Sequence, residues 1–394
     1  MTTVDGLSRD EDRIGPQGSV RTSQSGALRM PMGGGAQDGQ ARLPAVASQS
    51  MRVAKVVAPR EIRLEEAPVP SLIKGEILIR VRAVGLCGSD LHYYAHGRIG
   101  ELQFPVGHIL GHEVAGIVES LGPGADGPAP GTPVAVDPAI SCGRCRYCAL
   151  GHPNLCRHLR FFGSPPTPGA LCEYLAHPSS LVLPLSAGVT LPAGAACEAL
   201  GVAIHAVDLA HLRIGDSVGV FGCGPLGLLI ARVAQLGGAS CILASEPLAH
   251  RREAVSLFGA AAAAFDPERD EVVRAIRERT GGDGVDVAFE AAGSETATVQ
   301  AVDAIRPGGT LILLGYWEAD RVTLPGIRAM RKGLTIRFVR RMKHTFPRAL
   351  EMARLGLVDL PALISHEFPF SDVAEAFAQA EKRSPGFLKT VITL

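Results

Sequence analysis

The ten residues VGVFGCGPLG, Val218 to Gly227, decide how the rest of this 394-residue chain is read. An apolar run ends at Phe221, Gly222, Gly224 and Gly227 follow in G-x-G-x-x-G register, and a helical pattern opens near Pro225. A dinucleotide's pyrophosphate needs such a strand–turn–helix unit. The first two glycines let the backbone turn and come close, and the N-terminus of the helix that Pro225, Leu226 and Gly227 begin offers free N–H groups to negative charge. Glu246 closes the next apolar strand twenty-four positions after Gly222. An acid there hydrogen-bonds the adenosine ribose and repels a 2′-phosphate, so NAD is expected ahead of NADP. Arg251 is a candidate phosphate contact, although with Arg252 it also reads as a solvated helix face.

Outward from that turn the texture is regular. From about Ala206, apolar strands alternate with helical stretches in SVGVFG, LGLLIARVAQLG, SCILASE, HRREAVSLFG, VDVAFEAAG and GGTLILLG, predicting a doubly wound parallel sheet over 206–341. Residues 51–205 run in short β-rich pieces such as EILIRVRAVG and EVAGIVESLG, broken by Gly and Pro, as in a compact antiparallel barrel. Residues 342–394 hold two amphipathic helical stretches and a closing strand, FLKTVITL; they do not prolong the alternation and are expected to return to the first domain. Residues 1–50, polar and glycine-rich, are expected to be a disordered extension. The fold class is therefore α/β, a β-rich domain joined to a doubly wound one.

Thirty-nine lysines and arginines balance 39 aspartates and glutamates, so no field is on offer for nucleic acid or an anionic membrane. The longest apolar run, VGVFGCGPLGLLIA from Val218, is shorter than the ~20 residues a bilayer helix needs, and no basic-then-apolar signal segment opens the chain. A soluble, cytoplasmic protein with small neutral partners is expected.

Four of the nine cysteines crowd into SCGRCRYCALGHPNLCRH, Ser141 to His158. They sit too close to pair comfortably as disulfides, but Cys142, Cys145, Cys148 and Cys156 can close a tetrahedral thiolate shell around zinc. A closed shell has no place for substrate, so this site is structural, with Arg144, Arg146 and Arg157 beside it to soften its charge. An open site must lie elsewhere. GLCGSDLHYYAHGRIG groups Cys87, Ser89 and His92, and GHEVAGIVESLG adds His112 and Glu113. Each alone is commonly a buried thiol or a satisfied core histidine.

GHE with Gly116 and Gly122, CGSD, the four-cysteine lobe and the glycine-rich unit, in that order, resemble the medium-chain, zinc-dependent alcohol and polyol dehydrogenases over residues 51–394. CGSDLHYYAHGRIG, FFGSPPTPGAL and CEALGVAIHA are most similar to the polyol branch of sorbitol, xylitol and idonate dehydrogenases. The resemblance implies a GroES-like catalytic domain over 51–205, a Rossmann domain over 206–341, one catalytic and one structural Zn2+ per chain, and a homodimer or homotetramer. It makes Cys87 and His112 catalytic zinc ligands and Glu113 a ligand or its alternate. Glu198 stands where the alcohol branch has a third cysteine and the polyol branch a glutamate, while Cys197 is by register a small buried residue. Ala199 replaces the branch's usual proline and loosens the placement of Glu198. His108 reads as a bystander. Arg341 aligns with an arginine that donates to substrate hydroxyls, with Tyr93 and Phe162 as apolar walls.

The chemistry implied is Lewis-acid catalysis: a partly open zinc site brings its bound water to a pKa of about 7 and should lower a bound alcohol's in the same sense, while hydride passes to the nicotinamide. Ser89 is expected to take the proton and His92, ordinarily near ~6.5, to pass it outward. Ser89 is also a candidate cap for the helix that follows. The activity implied is oxidation of a secondary hydroxyl of a polyol or sugar acid to the ketone by NAD. An alcohol or L-threonine dehydrogenase, or a non-catalytic NAD-binding sensor, are the alternatives.

Overall fold

Alternate burial along SMRVAKVVA lays Ser50–Ala58 down as a strand, antiparallel to Glu61–Pro68 on one side and His108–Ile109 on the other. The computed structural model describes residues 50–258, 263–317 and 321–394; the leader expected to be disordered lies, up to residue 49, outside the described residues. The main sheet of this lobe has seven strands, in the order Val182–Pro184, Pro133–Val136, Glu113–Leu121, Glu76–Gly85, Lys389–Thr393 and Ile364–Pro369, with Tyr174–Pro178 also paired to Glu76–Gly85. Two of these strands come from the C-terminal segment. Lys389–Thr393 runs antiparallel to Glu76–Gly85, with Val391 opposite Gly85.

The second sheet has six strands, all paired in parallel, in the order Ala263–Phe265, Cys241–Ser245, Ser217–Phe221, Val285–Glu290, Ile305–Leu313 and Thr335–Phe338. This is the doubly wound arrangement that the alternation predicts. Its strand order reverses between Ser217–Phe221 and Val285–Glu290, and the crevice beyond the carboxyl ends of such neighbours is where open α/β sheets bind ligands.

Between the sheets runs the helix Leu191–Ala210. Thr190 caps it by accepting the Ala193 N–H at 3.3 Å, a contact worth about 1 kcal/mol, and His211 ends it in the left-handed region. It is long and apolar enough to cross a bilayer, which the sequence reading missed by following a different apolar run. It is instead a core helix, 83% of its apolar stretch being buried against the protein. One cluster joins Leu200, Ala203 and Ile204 of this helix to Leu228 and Leu229 of Pro225–Leu236 and to Phe346 and Ala349 of Phe346–Arg354. Residue 205 therefore lies in the middle of an element that serves both lobes.

Candidate active site

Strand register builds the first cluster. Gly85 lies opposite Glu113, so Cys87, just past one strand, and His112, just before the other, arrive at the same place. A side chain at 85 has no room: its Cβ would stand 2.2 Å from Glu113 Oε2. The donor atoms of Cys87, His112 and Glu113 all lie within 4.8 Å of one another. Glu113 is fully buried, and its Oε2 has no hydrogen-bond partner. An orphaned carboxylate oxygen beside a thiol and an imidazole is a donor set short of a cation, and its mixture of S, N and O suits zinc. The residues fit the metal.

Asp90 orients this set, and the sequence reading passed over it. It accepts the N–H groups of Cys87 at 3.0 Å and Gly111 at 3.1 Å, and its Oδ1 stands 3.4 Å from His112 Nδ1, which leaves Nε2 to face a metal. Burial alone would lower His112, but Asp90 and Cys87 hold it well above its ordinary pKa. The helix Gly88–His96 is capped by this Asp90–Cys87 contact and not by Ser89, which sits inside the first turn and whose hydroxyl makes no hydrogen bond among the described residues.

Lys389 is the second unforeseen member. Its ammonium is buried, pairs with Glu113 Oε1 and donates to the Leu86 carbonyl at 2.9 Å. Glu198, on the long helix, is 4% exposed, and burial pushes it up to about 7 against the pull of His112. It does not join the cluster within 4.8 Å. Cys197 faces the other way, fully buried, its thiol on the Ala193 carbonyl at 3.4 Å. His108 is buried in its short strand, with its Nε2 unpartnered and its ring 6.2 Å from Phe104.

The four-cysteine loop holds its sulfurs within 4.8 Å of one another, with Cys145 Sγ 3.6 Å from that of Cys148 and 3.9 Å from that of Cys156. The N–H groups of Cys142 and His158 point at Cys156 Sγ, each at 3.3 Å. Backbone N–H groups of Cys148 and Arg157 pull the Cys145 thiol down to about 6, a thiolate ready for a cation. All nine cysteines are free.

The glycine turn is a cradle. Gly222 has φ +97°, and a Cβ at Gly227 would strike the Gly222 carbonyl at 2.0 Å, so helix and strand close only on glycine. At Gly224 the nearest atom to a Cβ is Arg251 Nη1 at 3.5 Å. That open face, at the N-terminus of Pro225–Leu236, fits a pyrophosphate. Glu246 is 3% exposed and braces the turn, accepting the Cys223 N–H at 2.7 Å and the Leu248 N–H at 3.1 Å. Neither arginine lies on a solvated helix face. Arg252 is tied to Asp266 at 3.1 Å and to the Glu246 carbonyl at 2.7 Å, while Arg251 keeps a buried, unpartnered Nε beside the cradle.

Residues 73–187 match the family described as Alcohol dehydrogenase GroES-like domain, and residues 225–354 that described as Zinc-binding dehydrogenase. Sorbitol dehydrogenase of Bacillus subtilis is 33% identical over 344 residues, spanning 87% of this chain and 97% of its own. L-idonate 5-dehydrogenase of Vitis vinifera is 35% identical over 341 residues, spanning 85% and 92%. The chain belongs to the zinc-dependent medium-chain dehydrogenases. It falls in their polyol branch. The solved L-idonate 5-dehydrogenase of Escherichia coli superposes on it with a TM-score of 0.81 at 26% identity, over 88% of this chain and 99% of that one.

In this dehydrogenase a cavity of about 460 Å3, lined by His92, His96, Arg98, Ile99, Gly100, Tyr316 and Trp317, opens on the helix that follows Cys87. The His92 ring lies 6.0 Å from those of His96 and Tyr316. The guanidinium of Arg341 stacks 3.3 Å from the centre of the Phe161 ring, and that ring is 5.2 Å from His112. Burial lowers Arg341 to about 10. The wall beside His112 is thus Phe161 and not the expected Phe162, which lies past the end of the strand Arg160–Phe161 and has its ring 4.6 Å from that of His177. Tyr93 is buried, edge-on to Phe104.

Proposed function

We propose that this protein is a zinc- and NAD-dependent polyol dehydrogenase that converts a secondary hydroxyl of a polyol or sugar acid, of the sorbitol, xylitol or L-idonate type, to the ketone. The observation that carries the reading is the orphaned Oε2 of Glu113 beside Cys87 and His112, in a chain about a third identical to sorbitol and idonate dehydrogenases over most of its length. Cys87 and His112 would hold the catalytic zinc with Glu113 or Glu198, and Cys142, Cys145, Cys148 and Cys156 the structural one. When bound, zinc supplies Lewis acidity to the substrate oxygen, and the nicotinamide takes up hydride.

The chain's own groups do the rest. Gly222, Gly224 and Gly227, with the helix start at Pro225 and Leu226, seat the pyrophosphate, while Glu246 and Arg251 address the adenosine end. Asp90 holds His112 in one tautomer. Arg341, planar and propped on Phe161, donates to substrate hydroxyls. Ser89 takes the hydroxyl proton and His92, on the cavity wall, hands it to solvent. Tyr93 and Phe161 exclude water. The reading extends to a cytoplasmic homodimer or homotetramer, which light scattering on the purified protein would test in its oligomeric part.

The deciding experiment is a panel of sorbitol, xylitol, L-idonate, L-threonine and ethanol with NAD or NADP, followed by NADH or NADPH absorbance, before and after dialysis against a chelator. A polyol or aldonate should be preferred, NAD should outpace NADP, and zinc should restore the dialysed enzyme. A protein that binds NAD yet reduces it with none of the five would be a sensor.

A further inference from the structure

The four-cysteine loop touches more than its own sulfurs. Asn154, 6% exposed and lying between Cys148 and Cys156, donates its amide to the Arg340 carbonyl at 3.1 Å, and Arg340 returns Nε–H to the Asn154 carbonyl at 3.2 Å. Two residues earlier in the loop, His152 Nδ1 meets Lys343 Nζ at 3.0 Å. The segment so gripped carries Arg341. Its backbone is unusual: Arg341 has φ +58° and His344 φ +54°, left-handed conformations that persist in non-glycine residues where the surroundings over-determine them.

The opposite side of the segment is fixed as well. Thr345 Oγ1 donates to the Gly201 carbonyl at 2.6 Å, and Met342 Sδ lies 2.7 Å from where a Cβ at Gly201 would stand. Arg341 itself has no hydrogen bond or ion pair among the described residues, only the Phe161 ring beneath it. That ring also belongs to the loop's surroundings, since Arg160–Phe161 pairs with Ala139–Ile140 just ahead of Cys142. The backbone of Arg341 is gripped while its guanidinium remains available.

We propose that the four-cysteine loop is a positioning element for the substrate, with Asn154 as the positioning residue that sets where Arg341 stands. This rests on the reading that Arg341 meets the substrate. The loop's integrity then governs substrate affinity in its own chain, not stability alone.

The test uses whichever of sorbitol, xylitol and L-idonate the enzyme turns over fastest, and compares Asn154→Ala, Arg341→Ala and the double variant. Asn154→Ala should raise the substrate KM about tenfold, the effect of one buried hydrogen bond, while kcat and the KM for NAD change less than about twofold and two zinc ions per chain remain. In the Arg341→Ala background the same change should add less than about twofold, because both act through one group. If Asn154→Ala costs zinc, Arg340→Lys, which keeps the charge and loses the Nε–Asn154 bond from outside the loop, carries the same expectation. Independent, multiplying effects, or an unchanged KM with zinc retained, would overturn the positioning role. An Arg341→Ala enzyme with wild-type KM would instead remove Arg341 from the substrate site, and the inference with it.

Discussion

Replacing Lys389 by Met removes the ammonium that pairs with Glu113. Both partners are buried, at 2% and 0% exposure, so water cannot stand in for the lost ammonium. Breaking a buried pair from one side costs about 3–5 kcal/mol. The Leu86 carbonyl also loses its donor, for roughly 1 kcal/mol more. The metal-free Lys389→Met protein should therefore be about 3–5 kcal/mol less stable than metal-free wild type at pH 7. Guanidinium denaturation of both metal-free proteins at pH 7 measures it. With zinc restored the gap should narrow, since the ion supplies Glu113 with positive charge. A loss below about 1 kcal/mol would refute the claim that the buried Lys389–Glu113 pair holds this corner of the site.

Ser89→Ala should slow hydride transfer at least tenfold in single-turnover measurements while NAD affinity, read by titration, stays within about twofold; equal rates would remove the hydroxyl from the proton path. Gly227→Ala should abolish NAD binding in calorimetry, because its Cβ would meet the Gly222 carbonyl at 2.0 Å and backbone must shift to admit it. Glu290 accepts N–H groups of Ala292 at 3.0 Å and Gly293 at 2.7 Å, yet burial pushes its pKa up to about 7. The folded state thus favours its protonated form, and the stability this contributes is full below the unfolded value near 4.5 and lost as pH rises through 7. Wild type should lose up to about 3 kcal/mol relative to Glu290→Gln between pH 5 and 8 in denaturant titrations, and parallel curves for the two proteins would contradict it.

What the sequence made legible was local. The glycine turn, the cysteine spacing, and the pairs Cys87–Ser89 and His112–Glu113 are each written within a few residues, and their side chains need only the adjoining strand ends to meet. Asp90 was equally local, three residues after the helix-capping Cys87, and an acid at the third helical position is a readable cap signal that Ser89 obscured. Lys389 was not legible, because the strand that brings it to Glu113 is 276 residues away and nothing near either residue announces the pairing. The choice between Phe161 and Phe162 depended on where a two-residue strand ends, and so short a strand leaves no pattern in the sequence to mark it. The long helix escaped for the opposite reason: Ala and Gly on nearly every side leave little amphipathic contrast, and only packing between two sheets shows why it is apolar all round.

The placement of Lys389–Thr393 in the interior of the seven-stranded sheet carries a lesson for biosynthesis. As the polypeptide leaves the ribosome, Glu76–Gly85 can pair early with Glu113–Leu121 and Tyr174–Pro178, but its Ala83–Gly85 end waits through translation of the whole dinucleotide-binding sheet before Lys389–Thr393 appears beside it. The half-built lobe has a bare strand end and a Glu113 without its Lys389 throughout that interval, a nascent species of the kind that chaperones shield. The Lys389–Glu113 pair therefore forms only after the dinucleotide-binding sheet has been translated.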